Sequence, residues 1–187
     1  MMSKRNIISL AGDLAAGKGA ISDILIKELN YGIYRNGEYV RKLAKDMGLN
    51  ITSFNEYLGS HPEIDIQIEK RAAEYAKDHD NFIIDARLGW YAVPESFKVY
   101  LKVDIDEAAR RAFYDEKRKE TEKFETIEEQ KQDMIRRFKL ENERYWNLYH
   151  VHKEDMSNYD LVVDTTNITP EEAVEIIKRE YFKWLEN

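Results

Sequence analysis

The sequence predicts an α/β fold, a five-stranded parallel sheet with helices on both faces in a three-layer α/β/α sandwich. Three observations predict it. Five short β-rich runs (6–12, 31–35, 81–86, 97–103 and 160–165) alternate with helical stretches, the order of parallel strands joined by crossover helices. The runs "NIISLAG", "NFIIDA" and "FKVYLKV" are rich in apolar residues and read as buried strands, as strands covered on both faces require. The first run passes through a glycine loop, "AGDLAAGKGA", into a helix, and strand, glycine loop and helix in that order form a phosphate cradle.

The elements follow in order. "KGAISDILIKEL" (18–29) puts Ile21, Leu25 and Leu29 on one helical face, with Ile24 beside them. "YGIYR" is a second short strand, and "GEYVRKLAKDMG" (37–48) a helix closed by Gly48. Ser53 and Glu56 are spaced as a capping box for a helix through "FNEYL". Pro62 opens a long amphipathic helix to about Asp78. From Asp106 the chain is helical and charged, breaks around 119–126, and restarts at the capping box Thr126–Glu129. Thr169-Pro170-Glu171-Glu172 combines a cap, a proline at the first helical position and an acidic first turn. No internal repeat and no low-complexity linker divides the chain, which predicts one domain over 1–187.

Composition narrows the function. At 187 residues, 43% hydrophobic and 35% charged, the chain is long enough for one domain with a substantial core. No apolar run approaches the ~20 residues that span a bilayer. Lys4 and Arg5 lead directly into the first strand with no signal-peptide pattern, so a cytoplasmic protein is expected. With no cysteine, disulfides and thiolate metal sites are excluded. A net charge of −7 argues against binding a nucleic-acid polymer. Arginines nevertheless bunch at 35–41, 71–87, 110–118 and 136–144, which suits a small phosphorylated ligand.

Three elements carry chemistry. In the loop, Gly12, Gly17 and Lys18 match G-x-x-x-x-G-K, whose backbone N–H groups turn toward phosphates while the lysine follows the β- and γ-phosphates. The usual next residue, a Ser or Thr serving magnesium, is replaced by Gly19 and then Ala20. Asp85 ends a strand where an acid can hold magnesium or its waters, and Arg87 would emerge into the same crevice. Arg137, Glu141 and Arg144 share one helical face, serving either as intrahelical ion pairs or as a grip on a phosphate. The charged stretch 106–145 reads either as a solvated helical hairpin or as a lid with inward arginines. Trp90 and Tyr91 could line a pocket, whereas Trp146 and Trp184 read as packing residues and His61, His79, His150 and His152 as surface residues.

In this order the parts resemble the nucleoside monophosphate kinases of the P-loop superfamily, and among them the short, archaeal-type cytidylate kinases. "AGDLAAGKGA" resembles the family's Gly-Ser-Gly-Lys-Gly-Thr loop, over Gly12, Asp13, Leu14, Ala15, Ala16, Gly17, Lys18, Gly19 and Ala20. "NGEYVRKLA" is similar to the monophosphate-side segment, through Gly37, Glu38 and Arg41, and "HPEIDIQIEKR" matches at Asp65 and Arg71. "IIDARLGW" carries Arg87, "DEAARRA" resembles the start of the lid with Arg110, and "RFKLENERYW" gives Arg137, Glu141, Arg144 and Tyr145.

The resemblance implies γ-phosphoryl transfer from ATP to a nucleoside monophosphate, CMP or dCMP first, with Mg2+ held through Asp85. It implies monophosphate-binding helices at about 37–79 and a helical lid at about 111–135. Lys18 and the loop would hold the donor, Arg41, Arg87 and Arg137 would clamp the acceptor phosphate, and Arg110 and Arg144 would close on the transferring group. A monomer acting on a small nucleotide, without nucleic acid or membrane, is expected. Ala20 for threonine, Ala86 for glycine, and Asp13 in the loop depart from the pattern. These departures leave open a kinase for another small nucleotide, or a nucleotide-binding protein with weak catalysis.

Overall fold

In the computed structural model, which describes residues 4–116, 118 and 123–186, all five strands join one parallel sheet. They are β1 (Ile7–Gly12), β2 (Gly32–Arg35), β3 (Phe82–Asp85), β4 (Phe97–Lys102) and β5 (Leu161–Asp164), in the order β2-β3-β1-β4-β5. β1 is central, pairing Ile7 with Phe82 of β3 on one side and Ile8 with Phe97 of β4 on the other. This places the C-terminal ends of β1 and β3 side by side, with Leu10 opposite Asp85.

The helices begin and end largely where local chemistry dictates. α1 (Lys18–Leu29) starts from Gly17 at φ 86° and ends at Asn30 in the left-handed region. α2 (Asn36–Asp46) follows β2 directly and is closed by Gly48 at φ +69°. α3 (Ile51–Ser60) begins earlier than the expected Ser53 cap. Asn50 accepts the Ser53 backbone N–H at 2.8 Å, so Ser53 lies inside the helix and Glu56 pairs with Arg136. α4 (Pro62–Asp78) starts at its proline, and α5 (Gly89–Ala92) is a single turn. α6 (Ile105–Tyr114) is capped by Asp104, and α7 (Ile127–Tyr149) by Thr126, which accepts the Glu129 N–H at 3.1 Å. α8 (Pro170–Glu186) carries a reciprocal box, Thr169 Oγ1 with the Glu172 N–H and the Glu172 carboxylate with the Thr169 N–H.

Alternation along the central strands divides the core. Ile8, Leu10, Ile83, Val99 and Leu101 pack with Ile21 and Leu25 of α1, Ala108 and Ala112 of α6, and Val174, Ile177 and Tyr181 of α8. Ile7, Phe82 and Ile84 point the other way, onto Ala72 and Ala76 of α4. Each of the buried Ile, Leu, Val and Phe side chains contributes about 1.5–3 kcal/mol on burial, so this two-faced sheet is the main source of stability. A separate cluster, Ala44, Phe54, Leu58 and Ile68, ties α2, α3 and α4 together beyond the sheet. Among the described residues, no helix is long and apolar enough to cross a membrane.

Along the charged stretch 106–145 the arginines divide between two sides of the same helices. Arg110 and Arg136 face outward in ion pairs with Glu107 and Glu56. Arg111, Arg137 and Arg144 turn inward to a cleft. Residues 117 and 119–122, inside the expected lid and its break, lie outside the described residues.

Candidate active site

A cleft of about 1000 Å³ opens above the C-terminal ends of β1 and β3, where open parallel sheets place their ligands. One wall is the loop 14–20 leading into α1; the others are α2, α3, α4, the turn 85–87, the end of α6 with Asp115 and Arg118 beyond it, and the inner face of α7.

The loop is built by close approach. Gly12 has φ +145°, and a Cβ there would lie 2.3 Å from the Leu101 carbonyl oxygen of β4, so only glycine lets β1 bend into the loop. Ala15 is held at φ 59°, in the left-handed region that costs a non-glycine residue about 1–2 kcal/mol. That strained residue lies in the loop that leads into the start of α1, where no side chain caps the helix. Lys18 bridges the loop, its Nζ donating to the carbonyls of Gly12 at 3.1 Å and Asp13 at 2.9 Å. Burial pulls the Lys18 ammonium down to about 8, against the opposing pull of Asp85. Burial likewise raises the Asp85 carboxyl, while Lys18, Arg35, Arg87 and Arg41 draw it back.

Asp13 is turned away from the cleft. Its carboxylate accepts from Tyr100 Oη at 2.5 Å and from the Val103 N–H at 3.0 Å, which ties the loop to β4. Burial and this carboxylate both raise the Tyr100 phenol well above its usual range. The loop therefore carries a carboxylate without placing its charge among the lining groups. Ser22 is also turned away; its hydroxyl donates to the Gly19 carbonyl at 2.9 Å and accepts from Arg35 at 3.2 Å. Ala20 is exposed in the first turn of α1, and no side chain there supplies the missing hydroxyl.

Opposite the loop is a buried charge network. Glu141 Oε2 lies 2.6 Å from Arg87 Nε and 2.5 Å from Lys153 Nζ. Burial alone would raise the Glu141 carboxyl, but Arg87 and Lys153, with Arg144, hold it below the usual carboxylate range. Arg144 pairs with Asp65 and donates to Asn55 Oδ1 at 3.2 Å. Arg137 is 4% exposed, with Asp133 at 3.9 Å. Arg41 is exposed on α2, at the cleft edge, and a Cβ on Gly37 would press on its guanidinium at 3.3 Å.

Of the residues read from sequence, the cleft brings together Leu14, Ala15, Ala16, Gly17, Lys18, Gly19, Ala20, Gly37, Arg41, Asp65, Asp85, Arg87, Arg137, Glu141 and Arg144. Four lie elsewhere. Gly12 and Asp13 support the loop from behind. Arg71 is exposed on α4, its guanidinium 4.1 Å from the centre of the Tyr39 ring. Arg110 is forked onto Glu107 one turn back, and Arg111 takes the place toward the cleft, donating also to the Thr165 and Thr166 carbonyls. Trp90 packs against Leu88, Tyr100 and Tyr145 under the site rather than lining it, and Tyr91 is exposed. Trp146 is 46% exposed, stacked on His152, and only Trp184 packs as expected. Sequence reasoning missed Arg111, Lys153, Asn36, Asn55 and Glu69. For Arg111 the signal was Ala108 and Ala112, three before and one after, which mark the buried side of α6.

Comparison with known proteins agrees with this architecture. A family model described as "AAA domain" matches residues 8–134. The cytidylate kinase of Thermoplasma volcanium is 33% identical over 91% of this chain and 88% of its own length. That of Thermococcus kodakarensis is 33% identical over 92% of this chain and 86% of its own. The shikimate kinase of Acinetobacter baumannii has the same fold, with a TM-score of 0.59 at 13% identity over 96% of this chain and 94% of that one. On identity sustained over nearly its whole length, this chain belongs to the cytidylate kinase family of P-loop phosphotransferases.

Proposed function

We propose that the chain transfers the γ-phosphate of ATP to the 5′-phosphate of CMP or dCMP. One observation carries this: the loop and Lys18 line a single cleft with Arg87, Arg137 and Arg144, an arrangement that suits a polyphosphate beside a monophosphate. An oxygen of the acceptor phosphate attacks the γ-phosphorus, the bond to the β–γ bridging oxygen breaks, and ADP leaves. The acceptor oxygen is already anionic, so no general base is required. Catalysis is positioning and charge neutralisation.

In this reading Lys18 follows the transferring phosphoryl group. Arg87, held by Glu141, clamps the acceptor phosphate with Arg41 and Arg137. Arg144 and Arg111 close on the transferring group. Among the described residues no three His, Cys, Asp or Glu side chains gather to hold a metal by themselves. The lone Asp85 beside Lys18 fits a magnesium ion bound chiefly by phosphates and water. Such an ion, when bound, orients the β- and γ-phosphates and neutralises their charge. The reading takes the chain as one monomeric, cytoplasmic kinase domain, with helices of 37–79 on the acceptor side and 111–135 as lid.

Lys18→Ala tests it. Turnover should fall at least ~10²–10³-fold, the loss typical of one preorganised group at the transferring charge. Melting should show the fold retained. Unchanged turnover in Lys18→Ala would sink the kinase reading.

A further inference from the structure

The acceptor end of the cleft is partly apolar, with Val40, Ile51, Leu58 and Ile68 in its lining. Two buried polar side chains sit in the same lining, Asn36 at the start of α2 (5% exposed) and Glu69 on α4 (7% exposed). Asn36 Nδ2 donates to Glu69 Oε1 at 3.5 Å, the outer limit of a hydrogen bond. The other oxygen of each, Asn36 Oδ1 and Glu69 Oε2, is buried with no hydrogen-bond partner. Two such atoms are costly, about 1–3 kcal/mol each, and the transfer step uses neither.

The charge around Glu69 fixes its chemistry. It faces Asp65 on its own helix, Glu141, Arg144, Tyr145 and Tyr149 on α7, Tyr34 on β2, Arg87 after β3, and Asn36 on α2. Burial first, then Asp65 and Glu141, outweigh the two arginines and push its carboxyl up to about 8. Near neutral pH Glu69 therefore keeps its proton. Because Oε1 accepts from Asn36, the proton sits on Oε2. The unpartnered atoms of these two bonded side chains are then one donor, Glu69 O–H, and one acceptor, Asn36 Oδ1.

We propose that Asn36 and Glu69 read the base of the acceptor nucleotide. Glu69 Oε2–H donates to the ring N3 of cytosine, and Asn36 Oδ1 accepts from its exocyclic amine. Uracil reverses both partners: its N3–H meets the carboxyl proton and its O4 meets the amide oxygen. Both buried groups would then be left unpaired, the kind of mismatch by which sites reject analogues strongly. Adenine presents the same donor and acceptor on a larger ring, so this edge separates amino from keto bases and pocket size separates cytosine from adenine. The inference rests on the nucleotide-kinase reading above.

Calorimetric binding of CMP, UMP and ATP to the full chain tests it. Wild type should bind CMP at least about tenfold more tightly than UMP at pH 7, and CMP affinity should fall as pH rises through about 8. Glu69→Ala should bring the two affinities within about threefold, as loss of one or two hydrogen bonds implies, with ATP binding unchanged. Glu69→Gln keeps a donor at the same place and cannot ionise, so it should retain the CMP preference and lose the pH dependence. If wild type prefers CMP and Glu69→Ala keeps that preference, or Glu69→Gln abolishes it, the inference is overturned and the kinase reading stands. If wild type binds no nucleoside monophosphate, both fall.

Discussion

Glu141→Gln removes one negative charge from the centre of the site and keeps the side chain's shape. In the wild type Glu141 is 2% exposed, with Arg87 at 2.6 Å and Lys153 at 2.5 Å on the same oxygen. Removing one partner of a buried pair costs about 3–5 kcal/mol, because the cations stay behind without their counter-charge. The amide oxygen can still accept one hydrogen bond, so the low end, about 3 kcal/mol, is expected. A chain of this size loses roughly 2–4 °C of melting temperature per kcal/mol, which gives a fall of about 6–12 °C. Glu28→Gln is the control. That pair, with Lys178, is solvent-exposed, and its loss should cost under about 1 kcal/mol.

The cause is separable from the loss. Lys153→Met added to Glu141→Gln removes the surplus buried cation and should recover part of the stability, a coupling that independent sites do not show. The pH dependence has a fixed sign. A carboxyl held below its usual range stabilises the fold above its unfolded pKa, about 4.5, and that gain is lost as pH falls through the folded value. The advantage of wild type over Glu141→Gln should thus be full above pH 4.5 and shrink below it. A melting change within about 1 °C, or strictly additive losses in the double variant, would refute the reasoning.

Two further outcomes follow from the loop. Asp13→Asn weakens the bonds from Tyr100 and Val103, so urea unfolding should show a loss of about 1–3 kcal/mol with no gain in ATP affinity. A tighter ATP complex at unchanged stability would mean that this carboxylate faces the phosphates after all. For Lys18, burial lowers the ammonium to about 8, so ATP affinity measured by calorimetry should fall as pH rises through that value. In Lys18→Arg, where the charge persists, the dependence should flatten; an equal slope in both proteins would assign it to another group.

The fold was legible because its signals are local. Pro62 starts α4, Thr169 and Glu172 cap α8, and Lys18 closes the loop onto the Gly12 and Asp13 carbonyls, each through contacts a few residues apart. Much of the cleft lining was legible for the same reason, since strand-end and loop residues of a parallel sheet converge. The misses depend on distant partners. Nothing near Asp13 reveals that Tyr100, 87 residues away, holds its carboxylate. Lys153 sits in a polar loop and is buried only because Glu141 and Phe138 of α7 cover it. Glu69 looks like one more charge on an amphipathic helix until α2 folds over it and brings Asn36. Arg110 and Arg111 are adjacent, and the buried alanines of α6 turn only the second inward.

The central claim is transfer of a phosphoryl group to a cytidine nucleotide, and a coupled assay of ADP release tests it directly. The wild-type chain, ATP and magnesium are supplied in turn with CMP, dCMP, UMP, AMP and GMP. The account predicts ADP formation that depends on the acceptor, fastest with CMP or dCMP and much slower with UMP. ADP release no faster with any nucleoside monophosphate than with ATP alone would contradict it.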